Sequence, residues 1–194
     1  MEEAAAASES FVVDEVEPTS WQEQLKSFVF LGGLDALQLF PLLNLVIVGY
    51  GCIWFLPRWK YTPTVVLLTS LVCSLLYALV LLSILWAAAP DDQPLDFSRF
   101  GAIVAAFRDP NIVFLGWVHY IAFDVLIARQ ILLDSLERNA SWKQHLGLIV
   151  PSTFLTLMLG PCGFFLYQMV IAPIFLSAKG GATAAPKEKV IKRV

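Results

Sequence analysis

Charge is scarce in this 194-residue sequence: Lys, Arg, Asp and Glu make up 15% of it, against about a quarter in an ordinary soluble domain. Histidine occurs twice and cysteine three times. Cys52, Cys73 and Cys162 all fall inside apolar runs. They have neither metal-ligand spacing nor the even count of a disulfide framework, so they read as small buried hydrophobes. No cofactor motif is present, and no metal or cofactor is expected. The formal net charge of −3 argues against a nucleic-acid partner. A secretory signal is missing too, because Met1–Pro18 is rich in Ala and Glu and has no apolar core. The acids Glu2, Glu3, Glu9, Asp14, Glu15 and Glu17 are equally unlike an Arg-rich organellar transit peptide. The chain as it stands fits a mature form.

Apolar residues are abundant, at 58%, and that excess must face something other than water. Charge-free runs of about 20 residues suit helices that cross a bilayer. The pattern predicts an all-α polytopic membrane protein: four transmembrane helices in a bundle, preceded by a short N-terminal amphipathic helix. Residues 1–19 read as a disordered acidic tail. Residues 20–33 read as an interfacial helix opened by a Ser20/Glu23 capping box. The four-helix domain occupies 34–178, and a basic disordered tail follows over 179–194. Spans are expected near 36–56, 63–89 and 112–133, with a fourth inside 146–178. That last stretch exceeds what one crossing needs, and a break is expected at Gly160-Pro161, where proline removes a backbone donor. Trp54, Trp59 and Tyr61 sit where an aromatic belt would lie. A short surface helix is expected around 97–107. Four spans would place both termini and the 90–111 loop on one side. Basic residues then divide so evenly between the two faces that they set no orientation.

The third span carries His119, Asp124 and Arg129. An ionisable group at mid-bilayer costs about 2.5–3.5 kcal/mol on insertion scales and ordinarily finds a partner inside the bundle. Asp124 falls near mid-membrane, whereas Arg129 lies about one turn from the surface and can snorkel to it. Steps of five residues rotate about 140° each, so the three do not form one vertical stripe. His145 opens span four at the face that span three reaches, roughly 20 Å from His119 along the normal. That separation argues against a haem or metal held by both histidines. A second polar cluster, Asp134, Glu137, Arg138, Lys143 and His145, gathers at that face.

Trp117-x-His119, Asp124-x-x-x-Ala128-Arg129-Gln130, Asp134-x-x-Glu137, His145 and Gly160-Pro161-x-Gly163, with Phe40-x-x-x-Asn44 and Pro57 earlier, resemble the abscisic-acid-deficient-four-like family over roughly residues 38–174. Its members are four-span proteins, and those of plants are plastid proteins required to form neoxanthin from violaxanthin. The resemblance implies an integral membrane protein of the chloroplast envelope or thylakoid and a violaxanthin-like carotenoid substrate. It also implies an isomerisation in which an epoxide opens to a tertiary alcohol while a proton leaves the adjoining polyene carbon. Such chemistry wants an acid at the epoxide oxygen and a base at the carbon. On this reading Asp124 is the acid, kept in its proton-bearing form by desolvation. His119 is the base, and Arg129 holds charge or a ring hydroxyl. Asn44, Trp117, Gln130, Asp134, His145 and Tyr167 are the expected substrate-binding residues. The partners expected are the carotenoid, the lipid bilayer and an additional protein factor or pigment–protein complex. The competing reading is a non-catalytic carotenoid-binding factor, or an accessory subunit of a photosynthetic or respiratory complex.

Overall fold

The computed structural model describes residue 30 and residues 33–87 and 98–176. The acidic tail, all of the 20–33 helix except Phe30 and Gly33, and the basic tail lie outside the described residues.

Helix α1 spans Ala36–Phe55, α2 spans Thr62–Ala87 and α4 spans Pro110–Glu137. Each is long and apolar enough to cross a membrane. Between α2 and α4 lies the short helix α3, Phe100–Ala106, within the stretch where a surface helix is expected. Asp35 opens α1 with a capping box: its side chain accepts from Gln38 N at 2.8 Å, and Gln38 Oε1 accepts from Asp35 N at 3.0 Å. Pro41 then tightens Phe40–Asn44 into a 3-10 turn inside the helix. Proline at the first turn and an Asp109 cap likewise start α4.

The three long helices alternate in direction and pack on one another. Their shared core includes Val46, Tyr50 and Ile53 of α1, Val66, Cys73 and Val80 of α2, and Val118, Ala122 and Val125 of α4. Small and polar side chains bring the helices close, as lipid-embedded packing favours. Ser70 Oγ donates to Ala122 O at 3.1 Å, and Gly49 faces Thr69. Ala36, Ala87 and Pro110 therefore lie at one end of the bundle, and Phe55, Thr62 and Glu137 at the other.

The last apolar stretch corrects the four-span expectation. Helix α5 covers residues 142–159 and contains a π-helical turn at His145–Ile149. Helix α6 covers Pro161–Phe175, with a second π-helical turn at Tyr167–Ile171. The chain reverses between them. Gly160 adopts φ 53° and ψ −111°, a backbone conformation open essentially to glycine alone. Pro161 then starts the return arm. A side chain at Gly163 would collide with Ser152 O and with Thr156, so the two arms touch backbone to backbone. At the open end Gln144 Nε2 donates to Phe175 O at 2.7 Å. Ala140 and Leu176 share one apolar cluster with Ile149, Tyr167 and Ile171. Residues 142–175 thus enter and leave at the Glu137 end as a re-entrant hairpin. The chain reaches Leu176 at the end opposite Ala36, and the shared side inferred from four crossings does not hold.

Candidate functional site at the hairpin tip

The hairpin's tip meets α4 deep in the bundle. A Cβ built on Gly160 would lie 3.4 Å from Asp124 Oδ1, so the turn rests against that carboxyl. Asp124 is thirteen residues from Glu137, about 20 Å at 1.5 Å per residue, in a hydrocarbon core of about 30 Å. Tyr50 Oη donates to Asp124 O at 3.1 Å. Trp54 Nε1 donates to Thr153 Oγ1 at 3.0 Å. The Trp54 ring stands 5.6 Å from Tyr50 and 6.2 Å from Phe154. Two hydrogen bonds and an aromatic row therefore tie α1 to α4 and to the hairpin around Asp124, the one acidic side chain at this depth among the described residues.

Two apolar hollows run from this place to the Ala36 end. The inner one, about 260 Å³, is lined by Asn44, Tyr50, Trp54, Ile121 and Leu157 among others. The outer one, about 480 Å³, is lined by Ala36, Leu37, Arg108, Pro110, Val113 and Phe114. Phe40 and Trp117 border both, so the two form one groove between α1 and α4. Its α1 wall runs from Ala36 to Trp54, about 27 Å of helix. Along α4 the wall reads Pro110, Val113, Phe114, Trp117, Ile121. Asp124 follows one turn deeper on the same stripe, since residues i, i+4 and i+7 share a face.

Asp124 is not joined by the other two residues expected to act with it. The His119 ring packs on Tyr77 of α2 at 5.2 Å and on Phe123 at 4.8 Å. The 140° rotation between 119 and 124 accounts for this. Arg129 Nε donates to Pro63 O at 3.0 Å, holding α4 to the start of α2. Asn44 and Trp117 line the groove, while Gln130 is exposed on α4. Asp134, His145 and Tyr167 gather elsewhere, at the hairpin's open end. Buried Asp134 Oδ2 accepts from Tyr167 Oη at 2.6 Å and from Arg138 Nε at 2.7 Å. Buried His145 stacks on Trp142, with centroids 5.4 Å apart, and its ring faces the main-chain carbonyls of Ile53 and Trp54. His145 Nε2 has no hydrogen-bond partner among the described residues.

Sequence reasoning passed over Tyr50, Phe40 as a groove wall, and Gly160 as a neighbour of Asp124, and it read Trp54 as part of an aromatic belt, whereas its indole is bonded to Thr153 of the hairpin. Tyr50 and Trp54 had a visible signal. They stand four apart in span one, and a Tyr or Trp below the interface ordinarily has a partner for its polar atom.

The described residues, three apolar spans and a hairpin enclosing one deep carboxyl beside a groove, fit the class of small helical membrane proteins. Residues 38–167, two thirds of the chain, match the family described as ABA4-like, ABA DEFICIENT 4-like, and the chain belongs to that family. No curated protein and no solved structure matches the chain.

Proposed function

We propose that this protein converts a violaxanthin-like epoxy-xanthophyll to an allenic isomer of the neoxanthin type within a plastid membrane. The observation that carries the proposal is the placement of Asp124, a deep carboxyl one turn beyond Ile121 of the groove wall and against a glycine turn. A xanthophyll is a stiff apolar rod with polar end rings, about as long as the bilayer core, roughly 30 Å. The groove supplies an apolar bed for the polyene, and Asp124 supplies a polar group where one end ring would arrive.

The reaction is an isomerisation, so protons must balance. Asp124 gives its proton to the epoxide oxygen. The C–O bond at the polyene-bearing ring carbon breaks, its electron pair going to oxygen, and a tertiary alcohol remains. The adjoining polyene carbon then loses its proton, and the C–H electrons complete the allene. The carboxylate left by the first transfer lies beside that carbon and takes the second proton. One carboxyl returns to its starting state, and no second base is required. His119, turned toward α2, and Arg129, held by Pro63, stand outside this step. The step begins with Asp124 in its acid form, and the apolar surroundings keep water from capturing the opened epoxide.

The test is incubation of the purified protein alone with violaxanthin, with products followed by chromatography. Wild type should yield the allenic product. Asp124→Asn, which keeps shape and hydrogen bonding but cannot cycle a proton, should lower the rate by at least about a hundredfold. Pigment bound without turnover would favour the carotenoid-presenting factor instead. Turnover by Asp124→Asn at the wild-type rate would remove Asp124 from the chemistry.

A further inference from the structure

The groove has two unlike ends, and the outer one carries a cation. Arg108 lines the outer hollow beside Ala36, Leu37 and Pro110. Its side chain is exposed, and among the described residues no group accepts a hydrogen bond from it. The neighbouring acid is engaged elsewhere: Asp109 Oδ1 caps α4 by accepting from Asn111 N at 2.8 Å, and it also accepts from Asn111 Nδ2 at 3.2 Å. Between the ends the lining is almost wholly apolar, with Asn44 as the polar exception. From Pro110 to Asp124 the helix rises about 21 Å, and the guanidinium of Arg108 stands beyond Pro110. The separation of the two polar ends approaches the length of a single extended xanthophyll, not of a lipid tail lying across the groove.

We infer that Arg108 anchors the far end ring of the xanthophyll through its ring hydroxyl, fixing the molecule's register so that the near ring's epoxide stops at Asp124. This rests on the xanthophyll reading above and adds the orientation of the substrate and the residue that selects it. An arginine offers several donors in a fixed fork and keeps its charge at the membrane surface, so it recognises a hydroxyl without needing a partner of set charge. Substrates lacking the far hydroxyl fit the apolar bed but lose the stop that sets their register. Arg108 is a positioning residue and touches no reacting atom.

The experiment compares three probes in wild type, Arg108→Leu and Arg108→Lys, each purified and checked for intact helix content. The probes are violaxanthin, a monoepoxide hydroxylated only on the ring without the epoxide, and β-carotene monoepoxide, which has no hydroxyl. Affinity is read by pigment absorption titration and turnover by chromatography. Wild type is expected to bind the first two about tenfold more tightly than the third. Arg108→Leu should remove that preference by weakening only the hydroxylated probes, and Arg108→Lys should restore part of it. Equal weakening of all three probes, or none, overturns the anchor while leaving the xanthophyll reading in place. Absence of binding of any probe to wild type overturns both, and retention of the preference by Arg108→Leu shows that another group reads the hydroxyl.

Discussion

Substituting Gly163 by alanine tests the re-entrant hairpin directly. The added Cβ would meet Ser152 O, Thr156 N and Thr156 Oγ1, and two of these three atoms are main chain. No rotamer change can relieve that contact, so one arm must move. Overpacking of this kind costs about 1–3 kcal/mol. Gly163→Ala should therefore destabilise the protein by about 1–3 kcal/mol. Gly147 is the internal control, because a Cβ there meets nothing within 4 Å. Gly147→Ala should be neutral or stabilising by up to about 1 kcal/mol. Reversible unfolding in mixed detergent micelles, followed by helical circular dichroism, measures both variants against wild type. Equal shifts for the two alanines would refute close contact between the arms, and with it the reversal at Gly160. The same substitution should lower turnover as well, since parting the arms draws the tip away from Asp124.

Further outcomes follow from the same geometry. Tyr167→Phe removes a hydroxyl that donates to buried Asp134 and should destabilise by about 1–2 kcal/mol, read in the same unfolding experiment. Cysteines introduced at Lys60 and Lys143 should react with an impermeant maleimide from one side of a sealed vesicle and one at Arg108 from the other, in a background without native cysteine. A tag appended after Leu176 should report with Lys60 and Lys143. In a variant keeping Cys162 alone, that exposed tip cysteine should resist aqueous maleimide until detergent is added, because the tip lies about 20 Å from its own face. His119→Ala should leave turnover within about threefold of wild type, a margin worth less than 1 kcal/mol. A loss like that of Asp124→Asn would return His119 to the reaction.

The three long helices were legible because long apolar runs and aromatic flanks report the bilayer directly. The break at Gly160-Pro161 was legible as well. Its direction was not. A proline after a glycine ends a helix whether the chain then continues across the membrane or turns back, and periodicity treats both alike. The length of the stretch held a hint. Residues 142–175 are too many for one crossing and too few for two, which is what a hairpin of half-depth requires. Gly163 held another, since a small residue three places past the turn permits the arms to touch. The Asp134–Tyr167 bond joins residues 33 apart through that fold-back, so no local pattern could reveal it. The division of His119, Asp124 and Arg129 among different neighbours was foreseeable from rotation alone. The neighbours themselves depend on packing.

A continuous fourth helix would have satisfied its own backbone throughout the bilayer. Reversing at mid-depth instead leaves the carbonyls ending α5 and the amides beginning α6 without their usual helical partners. Interrupted backbone at membrane depth persists only where protein buries it or where it borders a cavity. Here it lies against Asp124, the deepest acid in the described bundle, at the end of the groove. Two locally unfavourable features, a broken helix and a half-buried carboxyl at membrane depth, occupy one place, and each gives the other a polar neighbour that lipid would not. Interrupted helices in membrane proteins commonly mark the point where a ligand is held, and departures from local rules gather where function overrides stability. The hairpin is therefore best understood as the floor of the groove: it closes the inner end, shields Asp124 from water, and sets how far a rigid ligand can enter.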